Sequence, residues 1–260
     1  MNYEKVLYSL RDGVARISMN DPATRNAGSA QMGEELLDAV NRAAFEARAV
    51  MLTGEGKGFC SGANLADADG ILDDPMRDVG TLLDRYFNPV VVAMKDMDQP
   101  VVTAVRGAAA GVGAGLAMAG DLIVCGETSF FLQAFRHVGL APDGGSSWLL
   151  TQAVGRVRAM ELMLLGDRLY GPKALEWGLV NRVVPDEEVD ATAMELAKAL
   201  AAGPRSLGII KRVAWAATDS SMETALSNER IGQRDASRTE DFIEGVTAFG
   251  EKRPPAFKGR

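Results

Sequence analysis

The amino-acid sequence predicts an α/β fold, a core in which strands alternate with helices, followed by a helical C-terminal part. Two patterns carry that expectation. In the first half, short apolar runs bounded by Gly, Pro and charged residues alternate with amphipathic stretches, whereas helical spacing dominates the second half. A third observation sets the domain organisation. The 260 residues contain no internal repeat, no low-complexity segment and no Pro/Ser linker long enough to split the chain, so one core with an appendage is expected. Residues 1–200 are expected to form the core and residues 201–260 the C-terminal helical region.

Each element follows from a local pattern. "KVLYSL" and "VARISM" flank "RDG", whose Asp12–Gly13 pair is a hairpin turn signal. The polar "MNDPATRNAGS" is a loop. "SAQMGEELLDAVNRAAFE" has a Ser cap candidate and apolar residues at helical spacing. "AVMLTG" reads as a buried strand, and the small-residue turn "GFCSGANL" (Gly58 to Leu65) follows it. Residues 66–98 carry two helical stretches. "QPVVTAVRG" is another buried strand, with Pro100 at its entry. "GAAAGVGAGLAMAGD", from Gly107 to Asp121, reads as a helix of very small residues, and "DLIVCG" as a strand. "GLAPDGG" is a loop that opens a helix near Ser146. Beyond it, "RAMELMLLG", "GPKALEWG", "EVDATAMELAKALAAG" and "SLGIIKRVAWAA" read as helices. A final helical run extends from Met222 to about Phe249.

Composition narrows the function classes. With 47% hydrophobic and 24% charged residues the chain is ordinary for a globular protein. A net charge of -7 argues against a broad nucleic-acid or anionic-membrane surface. An anionic ligand stays possible where a few Lys and Arg cluster. Cys60, Cys125 and His137 are too few soft ligands for a structural zinc site, so no metal is expected. The N-terminal "MNYEKVLYSLRDG" has early charges and no apolar h-region, and no apolar run approaches the ~18–20 residues of a membrane span. A cytoplasmic enzyme is the expectation.

Most motifs that could carry chemistry fail on their own terms. "GEGKGF" has Gly56–Lys57, but Met51 and Gly58 stand where a phosphate loop needs its first Gly and its Ser or Thr. "GVGAGL" has Leu116 in place of the third dinucleotide-loop glycine, and close helix packing explains its glycines better. There is no G-x-S-x-G, and a Ser/His pair would have to use His137. Cys60 reads as a small buried thiol. What remains is the backbone. A strand ending in "SGA" exposes N–H groups with little side-chain bulk around them. A second Gly-rich turn at the start of a small-residue helix adds N–H groups and a favourable dipole. Two such groups converging on one point make an oxyanion hole.

"GKGFCSGANL", "QPVVTAVRGAAAGVGAGLAMAGDLIV", "GLAPDGGSSWLL" and "ALEWGLVNRVV", in this order, resemble the crotonase (enoyl-CoA hydratase/isomerase) superfamily, and the resemblance runs to "GVTAFGEKRPPAF". It implies a crotonase (ClpP/crotonase-like) fold of repeated ββα units with a C-terminal helical region for trimerisation, as a homotrimer or a dimer of trimers. It implies an acyl-CoA thioester as substrate and no further cofactor. On matching positions the oxyanion-hole donors are the N–H groups of Ala63 and Val112. The CoA adenine is expected near Asn64 and Leu65, with Arg25 close by. Phe249 and Lys252 fall where a C-terminal helix, often a neighbour's, approaches CoA.

The resemblance also bears on the reaction. A typical hydratase of the superfamily activates water with two glutamates; the matching positions here are Gly115 and Phe135, neither able to move a proton. Asp143, in "APDGG", stands at a position where the ring-epoxide isomerase-like branch and dienoyl-CoA isomerases keep an acid. Phe135, with Phe130 and Phe131, suggests an apolar acyl pocket. The expected activity is therefore an acyl-CoA isomerase that moves a double bond, or rearranges a ring-containing acyl group, through a thioester enolate. The alternatives are an enoyl-CoA hydratase, a non-catalytic acyl-CoA-binding protein and a thioesterase.

Overall fold

In the computed structural model, residues 2–64 and 73–260 are described. The chain opens with an antiparallel hairpin, β1 (Val6–Arg11) and β2 (Val14–Met19), closed by left-handed Asp12 and Gly13. In α1 (Ala30–Glu46), Ser29 caps the first turn by accepting from the Met32 N–H, and Met32, Leu36, Ala39, Val40 and Ala43 form the buried stripe. β3 (Ala49–Gly54) is buried throughout. Next, α2 (Gly80–Leu82), a π turn (Leu83–Phe87) and α3 (Asn88–Asp96) form one continuous rod packed on α1. β4 (Val101–Val105), β5 (Ala108–Ala110), α4 (Val112–Met118), β6 (Leu122–Gly126) and β7 (Phe130–Leu132) follow in close succession. A 3-10 turn (Ala134–Val138) leads to α5 (Ser146–Val154) and α6 (Arg156–Leu165). Then come β8 (Arg168–Tyr170), α7 (Gly171–Glu176), β9 (Arg182–Val184) and α8 (Val189–Ala201). The chain finishes with α9 (Ser206–Ala217), α10 (Met222–Ser237) and α11 (Glu240–Glu251).

The strands form two layers. The larger sheet runs β1-β2-β3-β4-β6-β9 and is parallel except for the hairpin. The smaller runs β5-β7-β8. Two isolated parallel bridges, Gly28 with Ala63 and Cys60 with Ala109, extend the small layer back towards the N-terminus. The repeating unit is thus a long strand in the main sheet, a short segment in the second layer and a helix, which is the expected ββα repeat. Strand alternation separates two cores. Ala49 and Met51 face α8 with Val102, Ala104 and Val124, while Val50 and Leu52 face the α1 side with Val101 and Val105.

The structure departs from the sequence expectations in four places. Gly107 to Asp121 is not one helix: Ala108–Ala110 is a strand paired with β7, and the helix starts at Val112. Alanine suits a helix, but Gly107 and Gly111 take φ of +59° and +52°, and a Cβ on Gly107 would run into the Lys57 carbonyl. The final helical run is two helices, because Thr239 starts a new one by accepting from the Phe242 N–H. The three-residue strands β7, β8 and β9 carry no period to detect. Of the two stretches expected in 66–98, the described part is the single rod Gly80 to Asp96, and residues 65–72 lie outside the described residues. No helix among the described residues is long and apolar enough to cross a membrane.

α9 is fastened to the main sheet by a buried ion pair. Lys211 Nζ lies 2.9 Å from Asp121 Oδ2 and donates to the carbonyls of Met94 (2.6 Å) and Gln99 (3.0 Å). Asp121 also accepts from the Val101 N–H and from Trp215 Nε1. Removing one partner of such a pair leaves a buried charge and costs ~3–5 kcal/mol. Urea unfolding of Lys211→Met should show a loss in that range. Lys173→Met, which breaks the exposed pair with Glu176, should lose under ~1 kcal/mol.

Candidate active site

The second-layer segments deliver two turns to one place. Ser61–Asn64 leaves the Cys60–Ala109 bridge and pairs with Gly28: the Gly28 N–H donates to the Gly62 carbonyl (2.7 Å), and the Asn64 N–H donates to the Gly28 carbonyl (3.0 Å). A trans peptide is planar, so the Ala63 N–H points opposite to the Gly62 carbonyl, away from Gly28 and towards the β5 side. The Gly111 carbonyl accepts from Ala114 and Gly115 inside α4, so by the same planarity the Val112 N–H points out of the helix N-terminus. Among the described residues neither N–H has an acceptor. Each donor follows a glycine of positive φ, Gly62 at +105° and Gly111 at +52°, and a Cβ on Gly111 would stand 3.6 Å from Gly62 Cα. The two expected donors therefore sit on backbones in direct contact.

Two further contacts fix the first turn of α4. A Cβ on Gly113 would lie 2.6 Å from the Cys60 Cβ and 2.8 Å from its Sγ. A Cβ on Gly115 would collide with the Gly144 carbonyl, and one on Gly144 would meet Val112 Cγ2 at 3.0 Å. The "APDGG" loop is thus pressed onto α4, with Gly144 and Gly145 both left-handed. The loop's backbone fills the volume that any side chain at position 115 would need.

Asp143 is held at that contact. Its carbonyl accepts from the Ser146 N–H, but its carboxylate caps nothing: α5 has Gly145 at its N-cap and no side-chain cap bond. Burial pushes the carboxyl up to about 6, and Oδ1 is buried without a hydrogen-bond partner among the described residues. Cys60 is fully buried, and its thiol is pushed up to about 11, first by burial and also by the Asp143 charge. A fully buried, protonated thiol makes Cys60 an inert packing residue, as expected. His137 Nε2 lies 3.0 Å from the Gly166 carbonyl at the end of α6, a structural contact.

The remaining expected residues divide. Phe135 is buried, with its ring edge 3.9 Å from a Cβ on Gly111, so it walls the site. Phe130 does not share that role, since it packs on Tyr170 under Arg168; Phe131 belongs to the core. Arg25 is exposed, takes φ +58° and accepts from the Ser61 N–H through its carbonyl, so it borders the turn. Asn64 is in the turn itself, and Leu65 lies outside the described residues. Phe249 and Lys252 sit at the C-terminal end of α11, where Phe249 shares a cavity with Pro204, Phe242 and Phe257. None of their described contacts reaches Ala63 or Val112. Two polar residues escape the sequence reading: Gln133, beside the Leu132 carbonyl that accepts from Gly111, and Ser146, at the start of α5. Both are buried, with Gln133 Oε1 and Ser146 Oγ unpartnered among the described residues. Only their place beside Gly111 and after Gly145 could have marked them.

Comparison with known proteins gives a consistent picture. The family profile described as enoyl-CoA hydratase/isomerase matches residues 9–260. The 1,2-epoxyphenylacetyl-CoA isomerase of Escherichia coli (strain K12) is 39% identical over 260 residues, covering 99% of both chains. A Rhodobacter capsulatus protein named "Probable enoyl-CoA hydratase" is 38% identical over the full length of both. A crystal structure from Mycobacterium abscessus with the same enoyl-CoA hydratase/isomerase description superposes with a TM-score of 0.94 at 34% identity, over 98% of this chain and 100% of that one.

The raised pKa of Asp143 has a thermodynamic sign. A carboxyl at about 6 in the fold and 3.8 as a free group binds more protons folded than unfolded between those values, so stability falls as pH rises through that window. Asp143→Asn removes the cost. Its melting temperature should exceed the wild type's at pH 8, and the difference should shrink towards pH 4.

Proposed function

Because the chain belongs to the enoyl-CoA hydratase/isomerase family and is an enzyme of it, we propose that it is an acyl-CoA isomerase that works through a thioester enolate. The observation that carries this reading is the Gly144 carbonyl packed where a side chain at Gly115 would stand, with Asp143 presented beside it. Position 115, where a typical hydratase of the family places a water-activating glutamate, is closed by backbone, and Phe135 makes the second such position apolar.

In this reading the thioester oxygen lies between the N–H groups of Ala63 and Val112. Asp143 takes a proton from the α- or γ-carbon, and negative charge moves onto that oxygen, where the two donors stabilise it as it forms. Each such donor is typically worth ~2.7–4 kcal/mol at the transition state. The same carboxyl then returns the proton to a different carbon, which moves the double bond. A base at about 6 is largely ionised at neutral pH and stronger than an exposed aspartate, which suits it to both transfers. The hydratase name of the Rhodobacter capsulatus relative favours a second reading, addition of water across the double bond.

The chain is further read as a trimer or a dimer of trimers. α11 exposes Phe242, Ile243, Val246 and Phe249, an apolar face without cover in one protomer. A neighbour would then bring Phe249 and Lys252 to the CoA. Light scattering at micromolar concentration should give three or six chains, and a monomer would contradict the assembly.

The activity is tested with a 3-enoyl-CoA ester and with crotonyl-CoA, separating the products by chromatography. Conversion of the 3-enoyl to the 2-enoyl ester is expected, whereas formation of 3-hydroxybutyryl-CoA from crotonyl-CoA with no isomerisation of the 3-enoyl ester would sink the proposal in favour of hydration. Asp143→Asn should lose at least ~10²-fold in turnover while still binding acyl-CoA. Wild-type turnover should rise with pH through about 6 and then level off, because the ionised form is the base. Ala63→Pro, which deletes the donor N–H, should abolish turnover where Ala63→Ser is mild.

A further inference from the structure

We propose that Trp215, on the C-terminal helix α9, is a positioning residue for Asp143. Through Trp148 it holds the first turn of α5, and with it the loop that carries the acid, against α4. This rests on the reading of Asp143 as the acid and adds a residue from the C-terminal helical region on which the reaction depends.

Three helices hold the Asp143 loop. Gly144 packs on Val112 and Gly115 of α4, and a Cβ on Gly145 would stand 3.4 Å from Val91 Cγ1 of α3. α5 continues the loop, and its first residue, Ser146, donates its N–H to the Asp143 carbonyl (2.9 Å). Each of the three helices is fastened in turn to one face of α9. Lys211 and Trp215 are four residues apart, so they share that face. Lys211 Nζ donates to the Met94 carbonyl of α3 (2.6 Å) and pairs with Asp121, three residues beyond the end of α4. Trp215 Nε1 donates to the same Asp121 (2.9 Å). Its ring stacks on Trp148 of α5, with centroids 5.8 Å apart and planes 19° apart.

The stack borders a cavity of about 230 Å³ between α3, α5 and α9, lined by Val91, Ala119, Gly145, Leu149 and both indoles. A close-packed interior would hold α5 from every side. Here the glycine contacts pin the loop, and the indole pair supports the turn that follows it. A smaller side chain at position 215 enlarges the cavity next to Trp148 and gives that turn room to shift. A misplacement of about 1 Å at a catalytic group costs as much as ~10²-fold in rate. Titratable side chains near this assembly include Cys60, whose buried thiol stays protonated, and Lys95, Asp121, Lys211 and Asp219 around the indoles.

The test follows Trp215→Leu, Trp148→Leu and Trp215→Phe with two readouts. Isomerisation of a 3-enoyl-CoA ester reports the reaction. Carbon NMR of the isotope-labelled Asp143 carboxyl in the free enzyme reports the site, with Asp143→Asn identifying its signal. Trp148 is half-buried, so its variant carries the test should Trp215→Leu fail to fold. Either leucine variant should lower kcat at least ~10-fold and change KM under ~2-fold, because the backbone donors stay in place. The Asp143 titration should fall from about 6 towards 3.8 as the carboxyl gains water. The double leucine variant should lose no more than either single one, since both break the same link. Trp215→Phe keeps a ring on Trp148 and should bring kcat back to within ~3-fold of wild type. Met51→Ala, a cavity on the α8 side of the main sheet, controls for lost stability and should leave kcat and the titration unchanged. Unchanged kcat and titration in the leucine variants, or the same changes in Met51→Ala, would overturn the proposal and leave the isomerase reading in place. If the wild type does not isomerise but the titration still moves in the leucine variants, the isomerase reading falls and the positioning role stands.

Discussion

The site depends on how closely two backbone segments approach the start of α4. Gly62 lies against Gly111, Cys60 against Gly113 and Gly144 against Gly115. At Gly113 and Gly115 an added methyl group would run into the Cys60 side chain and the Gly144 carbonyl, which leaves little room to relax, whereas at Gly111 it would rest against Gly62 Cα at 3.6 Å. The residues that follow Gly62 and Gly111, Ala63 and Val112, carry N–H groups without an acceptor among the described residues. The residue before Gly144, Asp143, carries the acid. Close packing of small residues is therefore what brings the Ala63 turn, the start of α4 and the Asp143 loop together. The side chains themselves contribute little to that placement.

The ββα repeat explains how these segments meet. Each unit sends a long strand through the main sheet and a short segment across the second layer before its helix begins. Because the short segments pair with one another, from Gly28 to Ala63 and from Cys60 to Ala109 and on to β7, their ends are held in register. Planar peptides then fix donor directions without any side chain. The Ala63 N–H is aimed by the hydrogen bond that its own peptide's carbonyl makes to Gly28.

Much of this was legible in the sequence, and the limits have physical causes. The hairpin, α1 and β3 announce themselves because turn chemistry, cap and period agree. The small-residue turns pointed to backbone donors because nothing else there could do chemistry. What was hidden is what depends on partners distant in sequence. Ala108–Ala110 looks helical by composition, and only its pairing with Phe130–Leu132 makes it a strand. The filling of position 115 by Gly144 cannot be seen in "GVGAGL", because the loop that fills it begins over twenty residues later. Gln133 and Ser146 look like ordinary polar residues until their burial is known.

The same packing accounts for a tension between stability and chemistry. A carboxyl in a dry site costs free energy when ionised, and among the described residues Asp143 has no hydrogen bond to its buried Oδ1 to offset that cost. A structural aspartate would turn towards a cap, and a backbone N–H at the start of α5 is only a few residues away. Here the two left-handed glycines direct the chain instead so that the Gly144 carbonyl meets α4 and the carboxylate is left unsatisfied. Local propensity and global fold disagree at this loop, and such disagreements gather where proteins do chemistry. In the proposed reading, Asp143 Oδ1 and the two N–H groups, unpartnered among the described residues, suit a ligand that carries both an acidic C–H and an oxygen on which charge can settle. A thioester with an adjacent double bond has both.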